Sequence, residues 1–321
     1  MVLFLFVFLA FSESSIHSQA AKLPSLKVKG TKLVNSKGRA VQLRGISTHG
    51  LSWYPEYVNP KAFSYMKKHW GINVVRLAMY TSEYNGYCTG DAANRKKLEK
   101  NIDNGVRYAT EAGLYVIIDW HILSDGNPKT YQKEAVSFFK KMAKKYKNHT
   151  NVIYEICNEP NGGTSWNTIR SYAVKVVKTI RAYDRNAVIL VGTPTWSQDV
   201  DIAAKNPLKG VKNVMYTLHF YAGTHGNSLR QKASAALEAG LPLFVSEFGI
   251  SDASGSGKLN TKEGKRWIDF LNKNKISYVA WNLSDKNESS ALLKSSVKKV
   301  SGWEKSSLSP WGKWFVAQLK K

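Results

Sequence analysis

Eight apolar segments of strand length recur along this sequence, and they constrain its fold more than any other feature. They begin at Leu43, Ile72, Leu114, Val152, Ala187, Val214, Leu241 and Ile276. Each segment is almost continuously apolar, which is typical of parallel strands that are covered on both faces. Amphipathic stretches of helical length lie between them, as at 94–113, 131–148 and 166–184. Eight such alternations within about 280 residues predict an α/β fold, a (β/α)8 TIM barrel, which usually has this size.

A doubly wound open sheet is the alternative for such an alternation. It requires a Gly-rich phosphate-binding loop after the first strand, and the segment GISTHGLSW at 45–53 is not one. Ahead of the first barrel strand, residues 26–45 alternate between polar and apolar side chains. The turn sequence NSKG at 35–38 divides this stretch, so the pattern predicts a short N-terminal β-hairpin.

The first twenty residues resemble a secretory signal peptide. Residues 2–11 are apolar, and the small residues Ser18 and Ala20 stand near the expected cleavage site. A membrane anchor needs roughly 20 apolar residues, and no later segment is long enough either. We therefore predict a signal peptide at 1–20, a secreted, extracellular protein without membrane association, and a single barrel domain over 21–321.

The chain is strongly basic, with 47 Lys and Arg against 23 Asp and Glu and a net charge of +24. Such a charge attracts polyanions, and both nucleic acid and acidic matrix polysaccharide are candidates. The sequence shows no module that reads or stacks on bases, so we predict no nucleic-acid partner. Any single lysine cluster is adequately explained as a solvated helix face.

The sequence contains two cysteines and three glycosylation sequons, which are its candidate sites of covalent modification. Cys157 lies inside a predicted buried strand and is interpreted as a small core residue. It pairs with Cys88 only if the fold brings their Cα atoms within about 7 Å, which the sequence leaves open. The sequons at Asn148, Asn282 and Asn287 matter only in a cell that glycosylates its secreted proteins.

Polar side chains collect where the predicted strands end. Active sites of such barrels lie at the carboxyl ends of the strands. The residues at these ends are Arg76, Tyr80, Asp119, His121, Asn158, Glu159, His219, Tyr221, Ser246, Glu247, Trp281 and Asn282. Each polar group would be costly to bury alone, so we expect them to meet around one mouth and satisfy one another.

Glu159 and Glu247 follow the fourth and seventh predicted strands, and together they suggest hydrolysis of a glycosidic bond. One carboxyl group would protonate the leaving oxygen. The other would attack the anomeric carbon if the two lie about 5–5.5 Å apart, or activate water at roughly 6.5–9.5 Å. A cation such as Arg76 beside the nucleophile would favour its charged form.

Each of these residues has a plainer interpretation when it is taken alone. Arg76 is equally compatible with a structural ion pair, and Trp281 with the core. Two histidines and two glutamates are suitable metal ligands. However, no H-x-H or H-E-x-x-H spacing occurs, and a metal site leaves the Asn and Trp unexplained. We therefore predict neither a metal nor a cofactor, because only the joint pattern favours catalysis.

Six segments, in order and spacing, resemble family 5 glycoside hydrolases. They are VVRLAMY, IIDWHIL, IYEICNEPNG, TLHFYAGTHG, PLFVSEFGISDASGSG and YVAWNLSDKNESSALL. The resemblance runs from about Leu26 to the end of the chain and is closest to secreted endoglucanases of bacteria and plant-parasitic nematodes. It implies that Glu159 is the general acid/base and Glu247 the nucleophile.

The resemblance also implies roles for residues around these two. Asn158 matches the residue that binds the sugar 2-hydroxyl, and Arg76 and Tyr221 match partners of the nucleophile. His121 and His219 match histidines that bind substrate and support the acid. The residues matched to, or expected at, sugar contacts are His49, Trp53, Tyr80, Trp196, Trp281, Lys286 and Glu288.

The implied function is that of a secreted, monomeric, retaining endo-β-1,4-glucanase, a cellulase that cuts internal bonds of cellulose and related β-glucans by double displacement. The alternatives are a related β-mannanase or xylanase, and a non-catalytic glycan-binding barrel, which would usually lack one of the two glutamates. Many relatives add a linker and a cellulose-binding module, and we expect no separate module here. We hypothesise that the basic surface instead holds the protein on acidic cell-wall polymers.

Overall fold

The structure, a computed structural model, describes residues 23–320, so the signal peptide predicted at 1–20 lies outside the described residues. Eight parallel strands close into a barrel in the order β10-β3-β4-β5-β6-β7-β8-β9. These strands are β3 Arg44–Thr48, β4 Val74–Tyr80, β5 Tyr115–His121, β6 Val152–Glu155, β7 Val188–Val191, β8 Val214–Tyr221, β9 Leu243–Gly249 and β10 Tyr278–Leu283. The predicted TIM barrel is confirmed.

Helices surround the barrel. They are α1 Pro60–Tyr65, α2 Ala92–Glu111, α3 Gln132–Tyr146, α4 Trp166–Arg181, α5 Pro194–Ser197, α6 Val200–Lys205, α7 Asn227–Glu238, α8 Thr261–Asn274 and α9 Pro310–Leu319, with short helical turns at Pro55–Tyr57, Met66–Trp70 and Lys305–Ser307. The three long helices expected from the sequence are α2, α3 and α4, whose observed ends differ from the predicted ones by up to three residues.

Local capping signals determine where several helices begin. The Asp91 carboxylate accepts a hydrogen bond from the Asn94 N–H at 2.7 Å. The Ser309 hydroxyl oxygen accepts one from the Gly312 N–H at 3.0 Å, directly before Pro310. Such caps satisfy N–H groups that have no partner within the helix.

Side chains alternate between the two faces of each barrel strand, and this alternation builds the layers of the molecule. In β4, Val75 and Leu77 belong to the core between barrel and helices. Val74, on the other face, belongs to an apolar cluster at the amino end of the interior, and Tyr80 to one at the carboxyl end. Arg76 lies between these clusters and is fully buried. The barrel interior therefore holds a charged layer between two apolar ones.

The hairpin strands β1 Leu26–Lys29 and β2 Lys32–Asn35 pair in antiparallel fashion and close the amino end of the barrel. The hairpin is confirmed, and the predicted turn at 35–38 forms, with an antiparallel bridge between Val34 and Ala40 across it, but this turn does not join β1 to β2. The strands are joined instead at residues 30–31, where Gly30 has a φ of +55° that suits a tight turn. Residues 35–38 form a second turn after β2, in which the Gly38 N–H donates to the Asn35 carbonyl at 2.9 Å.

Both cysteines are free thiols in the fold, and Cys157 is fully buried, as expected for a core residue. The fold also separates the sequons, because Asn148 and Asn287 are exposed whereas Asn282 is fully buried. Among residues 23–320, no helix is both long enough and apolar enough to cross a bilayer.

Candidate active site

A cleft of about 780 Å³ occupies the carboxyl end of the barrel. The predicted residues that line it are His49, Trp53, Tyr80, His121, Glu159, Trp196, His219, Tyr221, Glu247, Trp281, Lys286 and Glu288. The two remaining predicted residues, Arg76 and Asn158, are fully buried and do not line the cleft. They lie beneath its floor and act on the groups above them.

Glu159 and Glu247 face each other in this cleft. A carboxylate oxygen of each, together with a ring nitrogen of His219, lies within 4.8 Å of the others. Glu159 is 9% exposed and Glu247 is 4% exposed, so both groups are shielded but reachable. A glycosidic bond placed over this pair would contact both carboxyl groups, and the short separation matches the geometry of retention.

Glu247 is held by two donors. The Arg76 Nη1 donates to its Oε2 at 3.1 Å, and the Tyr221 hydroxyl donates to its Oε1 at 2.8 Å. Burial, and then the charge of Glu247, raises the pKa of Tyr221 well above its ordinary value, so the phenol keeps its proton. The carboxylate is therefore fixed from two directions.

Arg76 also organises the charged layer below the cleft. Its Nε donates to Glu155 Oε2 at 2.7 Å, and its Nη2 lies 3.0 Å from Asp119 Oδ2 and 2.6 Å from Asn158 Oδ1. Burial alone would raise the pKa of Glu155, but the charge and hydrogen bonds of Arg76, together with the nearby His219, lower it to about 2. Glu155 is therefore a permanent anion in the barrel interior.

His219 connects this layer to Glu159. Its Nδ1 lies 2.9 Å from Glu159 Oε1, and its Nε2 lies 2.8 Å from the Ser246 hydroxyl oxygen. Ser246 in turn donates to Glu155 Oε1 at 2.7 Å. Burial opposes the charge on His219, but the contacts with Glu155 and Glu159 outweigh it and raise its pKa to about 9. The pair of Glu159 and His219 therefore retains a proton through neutral pH.

A second histidine, His121, is neutral. Burial and the charge of Arg76 lower its pKa to about 3. Its Nδ1 lies 2.6 Å from Asp119 Oδ2, and its Nε2 lies 3.2 Å from Asn158 Nδ2, which also donates to the Ile122 carbonyl at 3.0 Å. Asn158 thus lies between Arg76 and His121, and its expected contact with a sugar 2-hydroxyl stays a prediction.

Aromatic rings form one wall of the cleft. Trp281 is stacked on His121 with ring centroids 5.3 Å apart, and Trp53 lies 4.6 Å from Tyr80. His49 lies 5.3 Å from Trp281, and burial, followed by the charge of Lys286, lowers its pKa to about 3. Neutral rings of this kind suit the flat apolar faces of sugars.

Lys286 and Glu288 form a polar edge beside these rings. The Lys286 Nζ lies 2.6 Å from Glu288 Oε2. Glu288 Oε1 also accepts from Asn282 Nδ2 at 2.9 Å and from the Ser290 hydroxyl at 2.8 Å. Although burial opposes it, these hydrogen bonds lower the pKa of Glu288. Both side chains of this edge are therefore held by contacts within the protein.

Trp196 projects from the opposite side of the mouth and is 45% exposed. It lies in α5, where Thr195, Trp196 and Ser197 have φ values of 56°, 54° and 56°. The Trp196 N–H donates to the Pro160 carbonyl at 2.9 Å, and the Ser197 hydroxyl donates to the Asn158 carbonyl at 2.7 Å. This left-handed turn is therefore tied to the segment that carries Glu159.

Sequence reasoning gave no role to Glu155, and it placed Ser246 only among the polar residues at strand ends. The available signal was a carboxylate inside an apolar strand, since Glu155 interrupts VIYEIC and a buried charge requires a partner. The cleft walls contain further residues that the sequence did not single out as site residues: Glu83, Thr195, Gln198, His225, Ser254, Gly255 and Ser290. Apart from Thr195 in α5, they come from loops, where position is set by tertiary packing.

Glu159, His219 and Glu247 also satisfy the spacing of a metal site. Both ring nitrogens of His219 already have hydrogen-bond partners, however, and one of them supports Glu159. Glu159, His219 and Glu247 are therefore better suited to proton transfer than to metal binding.

A (β/α)8 barrel whose mouth holds two facing carboxylates between tryptophans is typical of a glycoside hydrolase.

Comparison with known proteins identifies the family. The model for cellulase (glycosyl hydrolase family 5) matches residues 34–287. Endoglucanase A of Butyrivibrio fibrisolvens is 48% identical, over 92% of this chain and 68% of that protein. An endoglucanase of Clostridium saccharobutylicum is 50% identical, over 89% and 63%. The catalytic domain of Thermobifida fusca endoglucanase Cel5A, in complex with cellotetraose, superposes with a TM-score of 0.85 and 35% identity, over 92% of this chain and 97% of that one.

This chain belongs to the cellulases of glycosyl hydrolase family 5. It is therefore a glycoside hydrolase, as the sequence resemblance predicts. The chain spans about two thirds of the length of the two curated relatives.

Proposed function

We propose that the protein is a retaining endo-β-1,4-glucanase that cuts internal bonds of cellulose and related β-glucans. The observation that supports this most directly is the pair of carboxyl groups of Glu159 and Glu247, within 4.8 Å of each other in one cleft. The relatives named as endoglucanases and the cellotetraose bound by one of them support the choice of substrate.

In the first step, Glu247 attacks the anomeric carbon while Glu159 gives its proton to the departing glycosidic oxygen. The carbon–oxygen bond to the leaving chain breaks, and an ester bond to Glu247 forms. Glu159, now a carboxylate, then takes a proton from water, whose oxygen attacks the same carbon and releases Glu247. Arg76 and Tyr221 keep Glu247 in place throughout, and His219 supports the proton changes on Glu159.

The positions of the tryptophans support attack within a chain rather than at its end. Trp53 follows β3 and Trp196 follows β7, and these strands lie on opposite sides of the eight-stranded barrel. A glucan that stacks on both rings would cross the mouth over Glu159 and Glu247. Sugars on both sides of the cleavage point would then be bound, as endo cleavage requires.

A reducing-sugar assay with soluble β-glucan, lichenan, mannan and xylan tests this function. We expect hydrolysis of the glucans, with losses of roughly 10²–10⁴-fold or more in Glu159→Gln and Glu247→Gln, because each removes a proton-transfer or nucleophilic group. Glu83→Gln is the matched control, since this carboxylate also lines the cleft, and it should retain activity.

The outcomes separate the alternatives. Preference for mannan or xylan would make the protein a mannanase or xylanase on the same site. Binding without turnover would indicate a non-catalytic barrel. NMR of the first product should show the β anomer, and an initial α anomer would contradict retention by Glu247.

Secretion, a cleaved leader at 1–20, one catalytic domain over 21–321, and a monomeric state are part of the same proposal. They are supported by the apolar start of the chain and by a barrel that buries its own core. The partner of the basic surface is proposed to be an acidic polysaccharide, because the net charge is +24.

A further inference from the structure

The amino end of the barrel, opposite the cleft, has two adjoining grooves. The first has a volume of about 460 Å³ and the second about 650 Å³. Both are lined by Arg185 and Asn186, so they meet at the start of β7. We call the two together the basal groove. Its cationic side chains are Lys27, Lys147, Arg185 and Lys212.

These four cations are exposed, and none forms an ion pair with an acidic group of residues 23–320. The acidic residue on the groove wall is Asp184, which is 5% exposed. Its Oδ1 accepts from the Ala187 N–H at 3.0 Å, and burial raises its pKa. Asp184 is therefore buried and directed at backbone N–H groups, and it forms no ion pair with any of the four cations.

Charge is divided between the two ends of the barrel. The cleft contains Glu83, Glu159, Glu247 and Glu288, whereas unpaired cations line the basal groove. A polyanion is therefore attracted to the end of the molecule that is remote from catalysis. Binding there leaves the cleft free for a neutral glucan.

From this distribution we infer that the basal groove binds a linear polyuronate, a polysaccharide with one carboxylate on each sugar. The inference rests on the proposed function only in choosing a carbohydrate as the polyanion. Single-stranded nucleic acids stack mainly on exposed aromatic rings. Among residues 23–320, the exposed Tyr, Trp and Phe side chains are Tyr84 and Trp196, and neither lines the groove, whose one exposed ring is the imidazole of His149.

The test compares two fourfold variants that lose the same charge. The groove variant replaces Lys27, Lys147, Arg185 and Lys212 by Gln. The control replaces Lys262, Lys273, Lys294 and Lys299, which are also exposed. Binding to polygalacturonate is measured by calorimetry at low and at high salt. The protein is produced without glycosylation, because Asn148 lines the groove.

We expect the wild type to bind, more weakly as salt rises, because such contacts are screened. The groove variant should lose affinity by about tenfold or more, whereas the control should stay within about twofold of the wild type. Equal losses in both variants would show diffuse surface charge and overturn the assignment. Tighter binding of single-stranded DNA than of polygalacturonate at the same salt would also overturn it.

Hydrolysis of a neutral soluble glucan is measured in parallel. Both variants should retain the wild-type rate, since none of the replaced residues lines the cleft. An inactive wild type that still binds polygalacturonate would reject the proposed hydrolase and leave the groove assignment intact. An active wild type that does not bind polygalacturonate would reject the groove assignment and leave the proposed hydrolase intact.

Discussion

Hydrogen-bond direction at Ser246 determines how His219 is protonated. Glu155 is ionised and only accepts, so the Ser246 hydroxyl proton points to it. The Ser246 oxygen must then accept from His219 Nε2, which therefore always carries a proton. His219 Nδ1 is left to exchange a single proton with Glu159. Ser246 and Glu155 would thus act as positioning residues for Glu159, the proposed general acid.

Ser246→Ala should impair acid catalysis without a general loss of activity. Without the bridge to Glu155, the pKa of His219 falls from about 9, so the Glu159–His219 pair loses its proton at a lower pH. We expect the alkaline limb of kcat/KM for cellotetraose to move to lower pH, with a loss of roughly tenfold near pH 8. The measurement is a pH profile of wild type and variant.

An activated substrate distinguishes this role from a structural one. Dinitrophenyl cellobioside has a leaving group that departs without protonation, so its kcat/KM should be nearly the same in Ser246→Ala and wild type. If both substrates lose activity in equal proportion, Ser246 only maintains the fold of the site. Ser246→Thr keeps the hydroxyl and should restore much of the cellotetraose activity.

The residues that the sequence predicted are those that stand at strand ends. Their positions follow from one rule, that parallel strands of a barrel deliver their carboxyl ends to the same mouth. Glu155 is the last residue of β6 and Ser246 directly precedes Glu247 in β9, but their importance depends on which side chains the barrel interior brings together. Which side chains meet there depends on the tertiary structure, so it cannot be predicted from the apolar pattern of a strand or from the position of the strand end.

At the scale of elements, α5 connects the exposed Trp196 to the segment that carries Glu159. Thr195 and Trp196 hold left-handed backbone angles that are unfavourable for residues other than Gly. The Thr195 hydroxyl donates to Asp199 at 2.6 Å, and Ser197 is bonded to the Asn158 carbonyl. These contacts offset the strain and hold the turn that carries Trp196 against the segment that carries Glu159.

Trp196→Ala should therefore affect long substrates selectively. We expect kcat/KM for cellopentaose to fall by about tenfold, which corresponds to about 1.4 kcal/mol of lost stacking. Dinitrophenyl cellobioside places no sugar beyond the cleaved bond, so its kcat/KM should stay within about twofold. The control is Tyr84→Ala, because Tyr84 is 81% exposed but does not line the cleft. Equal losses on both substrates would place Trp196 outside the aglycone site.

The sequence predicted the long elements better than the short ones. Helices α2, α3 and α4 have clear apolar stripes and were located to within three residues. Residues 26–45 contain two turns, at 30–31 and at 35–38, with antiparallel pairing across each, and the sequence pattern indicated only the second. The left-handed turn of α5 cannot be predicted from the sequence, because neither Thr nor Trp favours that conformation.

At the scale of the whole molecule, barrel closure turns distant residues into neighbours. Arg76 and Glu247 are separated by 171 positions, yet lie 3.1 Å apart. Eight apolar segments predict closure itself, but not the register that aligns Arg76 with Glu155 and Asp119. The resemblance to family 5 glycoside hydrolases indicated which residues meet at the mouth of the barrel. Only the structure shows the charged layer of Arg76, Asp119 and Glu155 beneath them.

This charged layer makes the stability of the molecule depend on pH. The pKa of Glu155 is about 2 in the fold and roughly 4.3 in an unfolded chain. Its contribution is therefore fully present above about pH 4.3 and is lost as the pH falls towards 2. Glu155→Gln should reduce the free energy of unfolding by about 3–5 kcal/mol at pH 7, because it leaves Arg76 short of a buried partner.

Urea unfolding of wild type and Glu155→Gln at pH 7, 5 and 3 checks this expectation. The difference between them should be the same at pH 7 and 5 and smaller by about 2 kcal/mol at pH 3, since each pKa unit corresponds to about 1.4 kcal/mol. Glu111→Gln removes a carboxylate from the exposed pair with Arg107 and should cost less than about 0.5 kcal/mol at every pH. A difference for Glu155→Gln that does not change with pH would mean that packing, rather than the ion pair with Arg76, makes Glu155 necessary.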